Sequence, residues 1–154
     1  MRAIKIVAIS ILLILVACGI TLHVLKERRE NALINPGIYP AFRRIEIYAL
    51  VYVNQKTVNI DEYNRCKAVV DHMRKYPPHV GESAEEYYVF LNRLGFKLPP
   101  FKLKNPPTKN QRKKCMMEHV RLGDLQDKVI EGLYDKTVKE IEKIIEETRP
   151  EKIE

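Results

Sequence analysis

The residues best suited to chemistry are few. Cys115 and His119 stand four apart on a stretch with helical periodicity, so both face one way, as two ligands of one metal ion require. Cys66 and His72 offer a second pair and His79 a spare ligand. That second pair spans six residues, about 600° around a helix, which turns the two side chains to different faces. Zinc modules use tighter pairs, so no metal ligand is assigned and no cofactor is expected. Cys66 and Cys115 are also candidates for one disulfide, open to them in an oxidising compartment. Such a bridge would contribute about 2–4 kcal/mol.

Catalysis has less support. A Cys–His pair four residues apart lacks the usual origin of nucleophile and base in distant segments. The sequence contains no G-x-S-x-G, G-x-x-x-x-G-K, G-x-G-x-x-G or H-E-x-x-H. Six glycines in 154 residues leave few places for backbone to close on a phosphate. Glu85-Glu86 and Glu146-Glu147 are adjacent, so they diverge on a helix and read as solvated. No catalytic residue is assigned, and the chain is expected not to be an enzyme.

Charge is the stronger signal. Lys and Arg total 27 against 20 Asp and Glu, a net charge of +7 with a pI near 9.3. The segment 97–114 carries Lys97, Lys102, Lys104, Lys109, Arg112, Lys113 and Lys114 and no acid, so the whole excess lies there. Pro99-Pro100 and Pro106-Pro107 favour an extended strap. Anionic lipid headgroups are one candidate partner, at about 1 kcal/mol per cation near a membrane surface. RNA is another, but only Phe96 and Phe101 could stack on bases and no RNA-binding signature is present, so nucleic acid is not expected. An acidic partner, or the chain's own acidic end, is a third. The plainest alternative is a solvated linker.

The elements that must position these residues start with an apolar run. Ile6 to Leu25 holds no formal charge over twenty residues, enough for a helix of about 30 Å. Arg2 and Lys5 flank it on one side and Lys26, Arg28 and Arg29 on the other, which suits two headgroup layers and leaves the orientation undetermined. The expectation is a single membrane-spanning helix. Leu15-Val16-Ala17-Cys18 also resembles the bacterial lipoprotein box, so the competing expectation is a cleaved leader with Cys18 lipidated.

Beyond the run, Asn35-Pro36-Gly37 supplies a stop. Residues 42–55 are rich in β-branched and aromatic types yet also fit helical spacing, and a lone strand would have no partner, so helix is preferred narrowly. Asn59 opens a helix to about Tyr76, and Pro77-Pro78 follows it. Ser83 and Glu86 form a capping box for a further helix closed by Gly95, and the two helices are expected to form a hairpin. Thr108 caps a last helical run to about Thr148, with a break at Gly123-Asp124. Its apolar stripe, Leu125, Val129, Leu133, Val138, Ile141 and Ile145, is the candidate partner-binding face.

The expected architecture is mainly α. It comprises an N-terminal membrane anchor or signal segment (1–26), a small helical domain (27–96), the basic proline-rich strap (97–114) and an amphipathic C-terminal helical region with a charged tail (115–154). The expected function is a non-enzymatic, single-pass accessory or assembly subunit of a membrane protein complex; the alternative is a bacterial envelope lipoprotein that acts as a binding or adaptor protein with Cys18 lipidated. Its expected partners are the membrane, other subunits and anionic lipid headgroups.

Overall fold

The computed structural model describes residues 2–54, 59–76, 83–132 and 143–144, with α1 side chains described from Ile14 onward. Five helices follow one another: α1 Arg2–Ala32, α2 Ile38–Val53, α3 Ile60–Lys75, α4 Ala84–Arg93 and α5 Lys109–Ile130. The chain is mainly helical, and among the described residues there is no strand, only an isolated antiparallel bridge between Ile34 and Lys102. Among the described residues no helix is long and apolar enough to cross a membrane. The side chains of Ile6–Leu13, the first part of the apolar run, lie outside those described.

The helix boundaries follow local chemistry. The Asn59 side chain accepts from the backbone amides of Asp61 and Glu62 at the start of α3. Ser83 with Glu86, and Thr108 with Gln111, form complete capping boxes for α4 and α5. Gly95 has φ 78°, a left-handed conformation that glycine adopts freely where the chain leaves α4. Pro40 lies inside the first turn of α2, where a missing amide donor breaks no helical bond.

α2 is the centre of the fold. One face, with Ile38, Phe42, Ile45, Tyr48 and Ala49, packs on Cys66, Val69 and Val70 of α3, Tyr87 and Leu91 of α4, and Phe96. Its other face, Ile47 and Val51, packs on Leu122 and Leu125 of α5 and on Ile144. Burial on two faces explains the absence of a polar stripe in this segment, and with it the strand-like composition. It also joins segments 27–96 and 115–154 through one helix.

Glu46 is buried within this packing at 3 % exposure. The Tyr87 hydroxyl donates to one carboxylate oxygen at 3.0 Å and Gln126 Nε2 to the other at 3.1 Å. Arg43 Nη1 donates to the same carboxylate at 3.3 Å and also bonds the Gln126 carbonyl oxygen. The carboxylate is thus paired and hydrogen-bonded from its own helix, α4 and α5, as a buried charge requires.

The expected break at Gly123-Asp124 is corrected: α5 runs through it to Ile130. A helical glycine costs about 1 kcal/mol relative to alanine, less than the burial of Leu122 and Leu125 on either side contributes. The chain turns at Gly132, where φ is 75°. A Cβ at Gly123 would meet nothing within 4 Å. Gly123→Ala is therefore expected to raise stability by about 1 kcal/mol and Gly132→Ala to lower it by about as much, read by thermal unfolding in detergent. A loss of stability from Gly123→Ala would show that the helix is interrupted there. Glu46→Ala is expected to cost about 3 kcal/mol in the same assay, because the Tyr87 hydroxyl and the Gln126 amide lose their buried acceptor.

Candidate functional site

The basic strap is not a solvated linker. The Asn35 amide donates to the Phe101 carbonyl at 2.9 Å, and the Leu103 amide donates to the Leu33 carbonyl at 2.8 Å. Asn35 Nδ2 adds a bond to the Pro100 carbonyl at 3.0 Å. Leu98 and Phe101 pack on the first core cluster, and the Tyr88 and Phe101 rings meet at 5.2 Å. The extended conformation that its prolines favour is thus used to pair with the turn after α1. Residues 109–114, the end of the basic segment, are the first turns of α5, in line with the cap read at Thr108. A capping box at Thr108 directly after Pro106-Pro107 is the local reason for that start.

This arrangement gathers cations at one end of the molecule. Arg112 Nη2 donates to the Ala32 carbonyl at 3.1 Å and its Nε to the Pro107 carbonyl at 3.4 Å. Lys102 faces Glu30 at 4.0 Å. Lys109, Arg112 and Lys113 are exposed and share one side of α5 with Met116, by their three- and four-residue spacing. Lys104 and Lys114 are exposed as well, as is Lys97 at the strap's start. The first turn of α5 holds no acid, so its cations oppose the helix dipole and gain nothing in stability from their position.

Beside these cations lies a groove of about 550 Å³, lined by Pro36, Tyr39, Arg112, Lys113, Cys115, Met116 and His119. The Tyr39 ring meets the His119 ring edge-on at 6.2 Å and Phe42 in the same manner at 6.3 Å, which ties the groove wall to the core. Met116, 66 % exposed, and Val120, 56 % exposed, continue an apolar surface along α5.

The other residues singled out from the sequence fall elsewhere. Leu125 is 2 % exposed within the second core cluster, and Val129 packs against it, so this part of the stripe faces α2. Leu133, Val138, Ile141 and Ile145 lie outside the described residues, while neighbouring Ile144 is buried in that cluster. Cys66 and Cys115 are free thiols on helices that pack against different faces of α2, not a disulfide. Among the described residues no group of three or more His, Cys, Asp or Glu side chains could hold a metal ion. His119 lines the groove, and His72 stacks on Phe90 at 4.3 Å and Tyr87 at 5.2 Å. His79 lies outside the described residues.

Sequence reasoning missed a polar cluster around Glu62. The Tyr48 hydroxyl donates to Glu62 at 2.6 Å, Arg65 pairs with its other oxygen, and the Cys66 thiol lies 3.7 Å away. The Arg65 guanidinium also covers the Phe96 ring at 4.8 Å. Burial, and then the Glu62 charge, push the Cys66 thiol up from 9.0 to about 12. Burial, and then the hydrogen bond to Glu62, push the Tyr48 phenol up. The cluster is a lock between α2 and α3, and the raised thiol keeps Cys66 protonated at neutral pH. Pocket residues and cluster alike stand without precedent to borrow from: the chain matches no family model, no curated protein and no solved structure.

Thiol chemistry distinguishes the two cysteines. At pH 8 native Cys66 is expected to resist maleimide while Cys115 is labelled, as peptide mapping would report. Equal labelling would place Cys66 outside the core. Because folding favours the neutral Cys66 thiol, its contribution to stability is complete below about pH 9 and is lost as pH rises toward about 12. Alkaline titration of the circular dichroism signal measures that loss.

Proposed function

We propose that this chain is a non-enzymatic, single-pass accessory or assembly subunit of a larger membrane protein complex, held in the bilayer by α1. One observation carries the reading. Ile14, Leu15 and Val16 are consecutive and 63 %, 63 % and 52 % exposed, and Ile20, Leu22, Val24 and Leu25 are exposed as well. At 100° per residue these positions fall around the whole circumference of the helix. Among the described residues no element covers that surface. An apolar stretch of this extent belongs against lipid or against partner helices.

The charges agree. The apolar run continues in sequence back to Ile6, and cations follow it at Lys26, Arg28 and Arg29. The compact part is small, and the exposed Met116, Met117 and Val120 give it a face on which larger subunits can seat. The side of the membrane that it occupies is left unassigned.

The test is the native size of the full-length protein, extracted from its own membranes in mild detergent. Stoichiometric migration with a much larger assembly is the expected result. Migration alone, as a monomer or small oligomer, would overturn the subunit reading. An intact mass lacking residues 1–17 would replace the helical anchor by a lipid on Cys18.

A further inference from the structure

We propose that the groove between Tyr39 and α5 holds one anionic phospholipid from the leaflet that α1 enters. Its phosphate lies against Arg112 and Lys113, and its acyl chain against Tyr39, Cys115 and Met116. The inference rests on the reading of α1 as a membrane anchor and goes beyond it by assigning a ligand and a site.

Position is the first argument. Arg112 lines the groove and also bonds the Ala32 carbonyl at the end of α1. Ala32 is seven residues past Leu25, the last residue of the apolar run, which is about 10 Å of helix. The headgroup layer is about 5–7 Å deep on each side of the hydrocarbon. The guanidinium bonded to the Ala32 carbonyl therefore stands about 3–5 Å beyond that layer, so a lipid held there has its phosphate drawn out of the headgroup plane by roughly that distance.

Chemistry is the second. The groove has an apolar wall and a cationic lip, and no acid is among its lining residues. Two carbonyls hold the Arg112 guanidinium in place and use two of its five donors. A pre-oriented guanidinium suits a phosphate, which it grips through paired N–H groups. Methionine adapts its shape to an irregular chain such as an acyl tail. The volume, about 550 Å³, is that of a small-molecule site.

Other occupants fit less well. An acidic peptide answers the charge but leaves the apolar wall uncovered. A second copy of this chain brings the same cations to the same lip and is repelled. Free phosphate matches Arg112 and Lys113 and makes no use of Tyr39 or Met116. An anionic amphiphile alone uses both halves of the groove.

The experiment uses the full-length chain in mild detergent, titrated with phosphatidylglycerol or phosphatidylcholine, with bound lipid read by native mass spectrometry. Phosphatidylglycerol is expected to bind in preference, with one molecule held. Arg112→Gln with Lys113→Gln is expected to weaken it by about thirtyfold, two cations at the membrane-surface value. Cys115→Trp, which fills the groove and leaves every charge in place, is expected to abolish it. Lys67→Gln with Lys128→Gln, an equal change of charge on α3 and in the last turn of α5, away from the groove, is expected to leave it unchanged. No preference between the lipids, full binding by Cys115→Trp, or an equal loss in the Lys67 and Lys128 variant would overturn the proposal. So would displacement of phosphatidylglycerol by inorganic phosphate at the same concentration. Circular dichroism of each variant separates loss of binding from loss of folding, and Lys113→Gln alone repeats the test without touching the Arg112 bonds. Release of the protein from membranes by alkaline carbonate would defeat the anchor reading by itself, whatever the groove binds in detergent.

Discussion

Glu46 is 3 % exposed at the centre of α2, and its carboxylate is bonded by Arg43, by Tyr87 of α4 and by Gln126 of α5. A lone carboxylate at such depth would oppose folding by several kcal/mol. With its oxygens occupied, it opposes mispacking instead: rotating α4 or α5 on α2 would strand the charge. Apolar contacts tolerate small slips, and a buried carboxylate with partners on two other helices does not. Tyr87 also meets Phe42 edge-to-face at 4.9 Å, so the polar bond and the aromatic contact fix the same ring. The orientation of α5, and everything along it, follows from that constraint.

The groove inherits its shape from the same packing. Tyr39 belongs to the first turn of α2, and Arg112 through His119 to the first half of α5, so the two walls are held apart by contacts made further along both helices. Arg44 and Glu118 form an ion pair between these helices beyond the groove. The strap closes the remaining side of the molecule by pairing its backbone with the turn after α1. A cationic surface assembled in this way has a fixed pattern of charge, whereas an unpaired basic tail would have only a mean density.

Much of this was legible in the sequence, because much of it is local. Asn59, Ser83 with Glu86, and Thr108 each announce a helix start through a side chain that reaches only two or three residues. Gly95 announces an end. Residues 42–55 were ambiguous because a helix buried on two faces has no polar stripe to reveal its period. Gly123 misled because its local propensity is overruled by contacts with α2, some eighty residues away in sequence. The strap misled for a related reason: the bridge from Ile34 to Lys102 leaves no periodic trace. Leu125 was read as a surface for partners because α2 was not known to need a second cover. The groove was illegible altogether, since Pro36 and Tyr39 meet Arg112 and His119 only in the fold. Glu46 did leave a mark, as the one acid in FRRIEIYALVYV.

The junction after α1 has a mechanical consequence. The helix runs without interruption to Ala32, and the next residues are bonded on both flanks: Leu33 and Asn35 to the strap, Gly37 to the Asn35 side chain at 2.9 Å. A domain on a flexible tether samples many orientations, with a reach set by linker length. Here hydrogen bonds from the strap and from Arg112 tie the residues after α1 to the compact part, so a tilt or axial rotation of α1 is passed on through those bonds and is not absorbed by a loose linker.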